Sequence, residues 1–293
     1  MKKSHDITAV IPAAGLGTRL LPATKAISKE LLPIIDTPAI QLIVEEIVGS
    51  GIDHVVFVTA RGKSSIIDYF DSAPQLERTL AARGEDDFLE KITRPVMMAN
   101  YASVRQGRPL GLGHAILMAR EIVGENDLAV LLPDDLIDSD VPCLKQMISA
   151  REETGADLVM ALMEVPAEEV DKYGVVAGNL ISDRHFEITS MVEKPSVDQA
   201  PSHYAIIGRY LFSSELFTFL RDTQKGKGGE IQLTDAMAAM LRSGKRAVGY
   251  LFDGKRFDTG NVLGYVEANL HYGLKRPELK EPLKQLLKEL LDR

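Results

Sequence analysis

The sequence predicts a doubly wound α/β fold with a mostly parallel mixed sheet and a small added α+β lobe. Short apolar runs rich in Val, Ile and Leu alternate with longer amphipathic segments, as strands and helices do in such folds. The apolar runs lack the polar–apolar alternation of half-exposed strands, so helices are expected to cover both faces of the sheet. Between Glu164 and Pro195 the order changes to short strand-like pieces and turns, which predicts the added lobe.

Each element follows from its local pattern. The apolar runs predict the strands Ile7–Pro12, His54–Thr59, Pro95–Asn100, Leu128–Leu132, Leu158–Met163, Ala205–Phe212 and Ala247–Phe252. The amphipathic segments predict the helices Pro38–Gly49, Lys63–Phe70, His114–Val123, Val141–Glu153, Ile231–Arg242 and Asn261–Tyr272. The lobe is expected to contain short strands at Val175–Ala177 and Thr189–Val192.

The last segment, Pro277–Arg293, predicts a helix with leucines along one side. This side is expected either to pack on the body of the protein or to form a subunit interface, and both alternatives stay open. No linker rich in Pro, Gly or Ser divides the chain. One domain over residues 1–293 is therefore expected, in three parts of about 1–163, 164–260 and 261–293.

Composition excludes several classes of protein. The chain has 34 Lys+Arg and 42 Asp+Glu, a net charge of −8, which argues against nucleic-acid binding. A single cysteine, Cys143, excludes a disulfide framework and a multi-cysteine zinc site. Pro12 interrupts the longest uncharged run, so neither a membrane span nor a signal peptide is expected. A cytoplasmic protein is the resulting expectation.

A glycine loop, Gly15-Leu16-Gly17, follows the first predicted strand, at the end where α/β folds bind their ligands. No Asp or Glu occurs from Ile7 to Lys29, although the chain is acidic, and the cations Arg19, Lys25 and Lys29 fall in this stretch. Small residues allow backbone N–H groups to approach a ligand, and Arg and Lys neutralise phosphate. An anion-binding loop is therefore predicted, with a solvated basic turn as the alternative.

Two familiar nucleotide-binding motifs do not fit this loop. A dinucleotide fingerprint needs a third glycine where this chain has Leu20, although Asp36 lies near the expected acidic position. A P-loop needs Gly-Lys followed by Ser or Thr, which does not occur. An NAD-dependent oxidoreductase is thus a disfavoured alternative.

Two further carboxylates follow apolar strands. Asp134 comes after the strand ending at Leu132, and Asp258 comes after the strand ending at Phe252. Two carboxylates at neighbouring strand ends suit Mg²⁺, which binds one or two protein carboxylates together with phosphate oxygens. The alternative is that both residues form turns or cap helices.

The run from Gly15 to Pro33, GLGTRLLPATKAISKELLP, resembles the signature of the sugar-1-phosphate nucleotidylyltransferases. There, Gly-x-Gly-Thr-Arg is followed ten residues later by Lys and then by Leu-Pro. The additional Lys25 and the pair Lys29-Glu30 look like the bacterial UTP–glucose-1-phosphate uridylyltransferases (UDP-glucose pyrophosphorylases). Six further blocks extend the resemblance nearly end to end: Gln106–Gly113, Leu132–Asp135, Lys172–Val176, Val192–Pro195, Gly229–Asp235 and Phe257–Gly260.

The resemblance implies a Rossmann-like nucleotidyltransferase fold and transfer of a uridylyl group from UTP to glucose 1-phosphate, with Mg²⁺ as cofactor. It also implies a homo-oligomer, a dimer or tetramer, whose parts 1–163 and 164–260 bind nucleotide and sugar. Two alternatives remain, a thymidylyl-transferring relative that uses dTTP and a non-catalytic nucleotide-sugar sensor. The sensor is disfavoured because it would not need a metal site.

The resemblance also implies roles for individual residues. The catalytic residues are Arg19, Lys29 and Lys194. The nucleotide-binding residues are Ala13, Ala14, Gly15, Lys25, Glu30, Gln106, Gly111 and Asp134. Gly174, Glu193, Lys194 and Gly208 bind the sugar and its phosphate. The metal ligands are Asp134 and Asp258. From chemistry alone, the amide of Gln106 suits the imide edge of uracil because it both donates and accepts hydrogen bonds.

Overall fold

A computed structural model describes residues 7–292, without the side chain of Lys227. Arg293, the predicted end of the last helix, lies outside the described residues, as does the chain before Ile7. The strands are β1 (Ile7–Pro12), β2 (Pro33–Ile34), β3 (Thr37–Pro38), β4 (His54–Thr59), β5 (Asn100–Arg105), β6 (Asp127–Leu131), β7 (Asp135–Asp138), β8 (Leu158–Glu164), β9 (Gly174–Leu180), β10 (His185–Glu193), β11 (Tyr204–Phe212), β12 (Ala247–Leu251) and β13 (Lys255–Asp258). The helices are α1 (Ala39–Gly49), α2 (Ser64–Phe70), α3 (Pro74–Arg83), α4 (Asp86–Met97), α5 (Leu112–Met118), α6 (Arg120–Val123), α7 (Cys143–Thr154), α8 (Leu216–Asp222), α9 (Leu233–Arg242), α10 (Val262–Lys275) and α11 (Pro277–Leu291).

A nine-stranded mixed sheet forms the centre of the fold, in the order β5-β4-β1-β6-β11-β8-β12-β10-β9. The β5-β4-β1-β6 half is parallel throughout, and β8 and β12 are also parallel. Strand β11 runs antiparallel to β6 and β8, and the β9–β10 hairpin continues the sheet at its far edge. The predicted α/β fold class is confirmed. The pieces predicted at Val175–Ala177 and Thr189–Val192 are parts of the longer strands β9 and β10.

Helices cover both faces of this sheet, as the continuous apolar strands predict. In β1, the side chains of Ile7, Ala9 and Ile11 join one core, beneath α1, α2, α7 and α10. Val10 points the other way, into a second core beneath α5, α6, α8 and α9. Both faces of the strand are therefore dry, which explains why its sequence does not alternate.

One predicted strand is wrong. The segment Pro95–Asn100 does not form a strand, because α4 continues to Met97 and β5 begins only at Asn100. The apolar run around Pro95 is the last turn of an amphipathic helix that begins with acidic residues. Helices α3, α4 and α8 were not predicted. The predicted helix His114–Val123 is divided at Ala119 into α5 and α6.

A buried ion pair joins α1 to the sheet and was not predicted. Arg209 of β11 is completely buried, and its Nε and Nη2 donate to the carboxylate of Glu46 at 3.0 and 2.7 Å. Its Nη2 also donates to the backbone oxygen of Asp135 at 2.7 Å. Such a pair is tolerated in a core only when its hydrogen bonds are satisfied, and these contacts hold the start of β7 in place.

The last two helices pack against each other. In α11, Leu279, Leu283 and Leu287 are half-buried, whereas Leu286, Leu290 and Leu291 are exposed. The leucine side is thus divided between packing on the body and an exposed apolar surface. None of the helices within residues 7–292 is both long enough and apolar enough to cross a bilayer.

Candidate active site

The parallel strands β1, β4, β5 and β6 end at the same edge of the sheet, and the loops after them form the candidate site. The glycine loop follows β1, Gln106 follows β5, and Asp134 follows β6. Lys63 lies in the loop after β4. Segments that are far apart in the sequence meet here because parallel strands present their carboxyl ends together.

The glycine loop offers a row of free backbone donors. Ala13 is still bound to the sheet, because its N–H donates to the Val58 oxygen at 2.8 Å. From residue 14 to residue 18, no acceptor for the backbone N–H groups occurs in the described part of the chain. A Cβ built on Gly15 would meet nothing within 4 Å, so the loop faces open space at this point. Gly17 has a φ of 68°, which favours glycine. Such a row of N–H groups suits an anion.

The three predicted cations of this region differ in environment. Arg19 and Lys25 are exposed on two short 3₁₀ turns, Thr18–Leu20 and Ala23–Lys25. Neither forms an ion pair with any residue in the range 7–292. Lys29 instead points inward, and its ammonium group contacts the carboxylate of Asp134. Two exposed cations therefore flank the loop, and a third, Lys29, contacts Asp134 after the end of β6.

Lys29 and Asp134 stabilise each other's charges. Burial alone would lower the pKa of Lys29, but the charge and hydrogen bond of Asp134 outweigh it and raise that pKa above its usual value. Burial would likewise raise the pKa of Asp134, but Lys29 lowers it below its usual value. Both groups are consequently charged at neutral pH, and Asp134 is available as an anionic ligand.

Asp134 and Asp258 face a common space. A Cβ built on Gly260 would lie 2.8 Å from Asp134 Oδ2 and 2.9 Å from Asp258 Oδ1. Asp258 also accepts a hydrogen bond from the Gly260 N–H at 2.9 Å, so it shapes the turn as well. In residues 7–292, no group of three or more His, Cys, Asp or Glu side chains is arranged to hold a metal ion. Two carboxylates fit a cation that takes its remaining ligands from phosphate and water.

Asp135 points in the opposite direction from Asp134. It is buried, and it accepts hydrogen bonds from the Gly208 N–H at 3.0 Å and from Arg256 Nε at 2.7 Å. Arg256 Nη1 in turn donates to the hydroxyl of Tyr173 at 3.2 Å, next to Gly174. The backbone N–H of Gly208, a predicted sugar-binding residue, is thus engaged by Asp135. A Cβ at Gly208 would lie 2.7 Å from Leu132 Cβ, so glycine permits this close approach.

Glu30, a predicted nucleotide-binding residue, is buried in an ion pair. Its carboxylate is 1% exposed, and both oxygens accept from Lys63 Nζ at 2.9 Å. The side chain of Lys63 is itself only 12% exposed. This pair attaches the 3₁₀ turn Lys29–Leu31 to the loop after β4.

The loop between β5 and α5 contains the predicted base-binding residues. Gln106 is buried, and its Nε2 donates to the Gly111 oxygen at 3.0 Å. The same nitrogen lies 3.1 Å from His114 Nδ1. Gly111 has a φ of 93°, and a Cβ there would lie 2.9 Å from the Ile231 oxygen, so only glycine fits. Burial, followed by the charge of Lys225, lowers the pKa of His114 below 6.5.

The predicted sugar-binding residues meet where β9, β10 and α9 adjoin. Glu193 lies opposite Gly174 in the hairpin, and its Oε2 accepts from Thr234 Oγ1 at 2.6 Å. Lys194 has a φ of 46°, uncommon for a residue with a side chain, and its N–H donates to the Tyr173 oxygen at 2.9 Å. Its ammonium group is exposed, 3.7 Å from Glu193 Oε1. Unusual backbone of this kind occurs most often at functional sites.

Sequence reasoning missed the partners of the predicted residues. Lys63, Thr234, Arg256 and His114 all contact predicted residues, and none was assigned a role. Of these four residues, only Lys63 could have been assigned to the site from the sequence, because it follows an apolar strand at the ligand-binding end of the sheet. The others come from distant segments whose neighbours are set by tertiary packing.

Comparison with known proteins identifies a family and similar proteins that cover nearly the whole chain. The sequence pattern of the nucleotidyl transferase family matches residues 8–274. A Staphylococcus epidermidis protein named UTP–glucose-1-phosphate uridylyltransferase is 45% identical over 282 residues, which cover 96% of this chain and 97% of that protein.

Solved structures are similar over nearly the whole chain. A UTP-bound UGPase from Acinetobacter baumannii is 42% identical and has a TM-score of 0.89, covering 97% of this chain and 99% of that one. A UDP-glucose pyrophosphorylase complexed with UDP-glucose is also 42% identical, with a TM-score of 0.83, and covers 92% of this chain and 99% of that one.

Proposed function

The chain belongs to the nucleotidyl transferase family, and from this premise we propose that it transfers a uridylyl group from UTP to glucose 1-phosphate. The phosphate oxygen of glucose 1-phosphate attacks the α-phosphorus of UTP. The bond from that phosphorus to the oxygen bridging it to the β-phosphate breaks, so UDP-glucose forms and pyrophosphate leaves. The nucleophile is already an anion, so no general base is required. Catalysis then depends on positioning and charge neutralisation.

One observation carries this proposal, namely that three kinds of binding group adjoin at a single edge of the sheet. The glycine loop supplies free N–H groups beside exposed Arg19 and Lys25. Lys29, whose side chain lies beside Gly17 of this loop, contacts Asp134, and the carboxylates of Asp134 and Asp258 both lie close to Gly260. Arg256 donates hydrogen bonds to Asp135, the neighbour of Asp134, and to the hydroxyl of Tyr173, which directly precedes β9. A triphosphate, a divalent cation and a sugar phosphate are complementary to these three groups.

On the nucleotide side, the N–H groups of residues 14–18 bind phosphate oxygens, and Arg19 and Lys29 hold the β- and γ-phosphates that leave. Lys25 adds to the positive field. Gln106 and the backbone of Gly111 bind the base. Glu30 acts on the nucleotide indirectly, since its carboxylate is already paired with Lys63.

On the sugar side, Glu193 accepts hydrogen bonds from glucose hydroxyls, and Thr234 holds its carboxylate in place. Lys194 is exposed and carries a positive charge, so it suits the phosphate of glucose 1-phosphate. Gly174 leaves room for the sugar beside Glu193, because a Cβ there would lie 3.3 Å from Glu193 Oε2. Gly208 acts by allowing Asp135 to approach.

Asp134 and Asp258 fit Mg²⁺, because carboxylate oxygens are its preferred protein ligands and both face one space. When bound, Mg²⁺ supplies positive charge that offsets the repulsion between the two phosphate groups. Lys29 contacts the carboxylate of Asp134, so in this proposal it binds the phosphates beside the metal site.

The proposal is tested by measuring pyrophosphate release with UTP, dTTP, CTP and ATP, each combined with several sugar 1-phosphates. The highest kcat/KM is expected for UTP with glucose 1-phosphate. A preference for dTTP would indicate the thymidylyl-transferring alternative. Binding of UDP-glucose without turnover, with Mg²⁺ present, would indicate the sensor.

We also propose self-association as a homo-oligomer. Leu286, Leu290 and Leu291 are exposed on α11, and Val262 and Leu263 are exposed on α10, the helix that packs against α11. These exposed apolar side chains support the proposal. Light scattering of the wild type and of Leu290→Glu tests it. A lower molar mass for the variant is expected, and equal monomer masses would contradict the proposal.

A further inference from the structure

Within residues 7–292, Gly111 and His114 are the only hydrogen-bond partners of the amide nitrogen of Gln106. The hydrogen bond to Gly111 shows which atom of the Gln106 amide is the nitrogen. A backbone carbonyl oxygen only accepts hydrogen bonds, so the Gln106 atom facing it at 3.0 Å must be the NH₂ group. This identifies the nitrogen and the oxygen of the amide independently of the histidine.

The same NH₂ group lies 3.1 Å from His114 Nδ1. An NH₂ group carries two hydrogens and has no lone pair to offer, so Nδ1 must accept the second hydrogen. His114 is then neutral and carries its proton on Nε2. Its lowered pKa, caused by burial and then by Lys225, agrees with a neutral ring.

Both hydrogens of the amide are thereby used inside the protein. The Oε1 atom of Gln106 receives no hydrogen bond from the described residues, so it is the remaining polar atom of this side chain. Gln106 then presents to a base only an acceptor, whereas a freely rotating amide would offer both an acceptor and a donor.

We infer that His114 is a positioning residue for base selection, which holds the Gln106 amide so that Oε1 accepts the N3–H of uracil and disfavours cytosine. Uracil carries a hydrogen on N3, whereas cytosine has a lone pair there. An acceptor facing that lone pair is repelled, and the buried polar groups are left unpaired. The inference rests on the proposed function, and specifically on Gln106 binding the base.

The test replaces His114 in two ways. His114→Leu removes the acceptor, so the amide is free to turn its NH₂ group toward the base. His114→Asn keeps an acceptor, because its side-chain oxygen lies near the position of Nδ1. The dissociation constants of Mg–UTP and Mg–CTP are measured by titration calorimetry without the sugar substrate. The exposed His54 provides a matched control, His54→Leu.

For His114→Leu, UTP is expected to bind about tenfold more weakly and CTP equally or more tightly, so that the UTP/CTP preference falls at least tenfold. His114→Asn and His54→Leu are expected to stay within threefold of the wild-type preference. The KM for glucose 1-phosphate should change less than twofold in His114→Leu.

Equal losses for UTP and CTP in His114→Leu would overturn the inference, because they indicate a general structural role. An unchanged preference would overturn it as well. If His114→Leu does not fold, His114→Asn decides, since loss of preference in a folded Asn variant contradicts an acceptor role. If the wild type binds neither nucleotide, the proposed function itself fails, which is a distinguishable result.

Discussion

The neighbouring residues Asp134 and Asp135 should respond in opposite ways to the same chemical change. Asp134 faces Lys29 and the space shared with Asp258. Asp135 faces inward, with hydrogen bonds from Gly208 and Arg256. Changing either residue to Asn keeps its size and removes one negative charge. The Asp134 change therefore acts on catalysis, and the Asp135 change acts on folding.

The magnitudes follow from these contacts. In Asp135→Asn, the new NH₂ group must face a donor, either the Gly208 N–H or Arg256, and the buried guanidinium loses its counter-charge. Such a change costs about 2–4 kcal/mol. At about 2–4 °C per kcal/mol, the thermal midpoint should fall by roughly 5–15 °C.

Asp134→Asn should lower the midpoint less than Asp135→Asn does, because the side chains of Lys29 and Asp134 are 18% and 29% exposed, whereas those of Arg256 and Asp135 are only 10% and 9% exposed. Its turnover should fall by on the order of 10³, since metal-bound charge stabilisation is worth several kcal/mol. Excess Mg²⁺ should restore activity only in part. The same loss is expected for Asp258→Asn, whose carboxylate faces the same space.

The assay combines thermal unfolding followed by circular dichroism with Mg²⁺-dependent pyrophosphate release on the same preparations. Asp140→Asn serves as a control, because Asp140 is exposed. A destabilised but active Asp134→Asn or Asp258→Asn protein would refute the metal-ligand assignment and make that aspartate a turn former. A stable Asp135→Asn protein with little activity would refute the division between the two neighbours.

Three further predictions use the cations of the site. Lys29→Met should tighten the binding of Mn²⁺ in the absence of nucleotide roughly tenfold, because Asp134 loses its ion-pair partner, and it should lower turnover. An unchanged Mn²⁺ affinity, measured by electron paramagnetic resonance, would contradict this prediction. Arg19→Ala should lower turnover by on the order of 10³ with an unchanged thermal midpoint, since Arg19 is exposed and unpaired within residues 7–292. Turnover within tenfold of wild type would remove Arg19 from the mechanism. Glu30→Gln should lower the free energy of unfolding, measured by denaturant titration, by about 2–4 kcal/mol, because Lys63 stays buried without a counter-charge. A large loss of UTP affinity at unchanged stability would instead indicate that Glu30 contacts the nucleotide directly.

Much of the fold could be predicted because strand patterns depend on burial. Strands β1 and β4 begin and end where the apolar runs do, and both are covered on two faces. The prediction of a strand at Pro95–Asn100 was wrong because periodicity does not distinguish a short apolar strand from the last turn of an amphipathic helix. Length would have helped, since the polar residues from Asp86 onward belong to the same helix.

The sequence resemblance to the family is confirmed by the comparisons, whereas the roles of the individual residues remain predictions. The structure shows in addition which residues of the site contact each other although they are far apart in the sequence. Glu30 and Lys63 are 33 positions apart, and Gly208 and Asp135 are 73 apart. No local pattern relates such residues, because their contact depends on which strand ends become neighbours. A motif therefore identified chemical groups, but it did not reveal which of them were already engaged within the protein.

The pair Asp134-Asp135 makes this limit concrete. Both residues have the same side chain and follow the same apolar strand, so sequence pattern alone gives no reason to separate them. Asp134 lies in the turn after β6 and Asp135 begins β7, and the two carboxylates contact different groups. The choice is made by Arg256 and Gly208, which come from β13 and β11 and satisfy the inward carboxylate. Because Asp135 holds Arg256, whose Nη1 reaches Tyr173, Asp134 is left to face Lys29 and Asp258. The hydrogen bonds of Asp135 thus fix the backbone position from which Asp134 contacts Lys29.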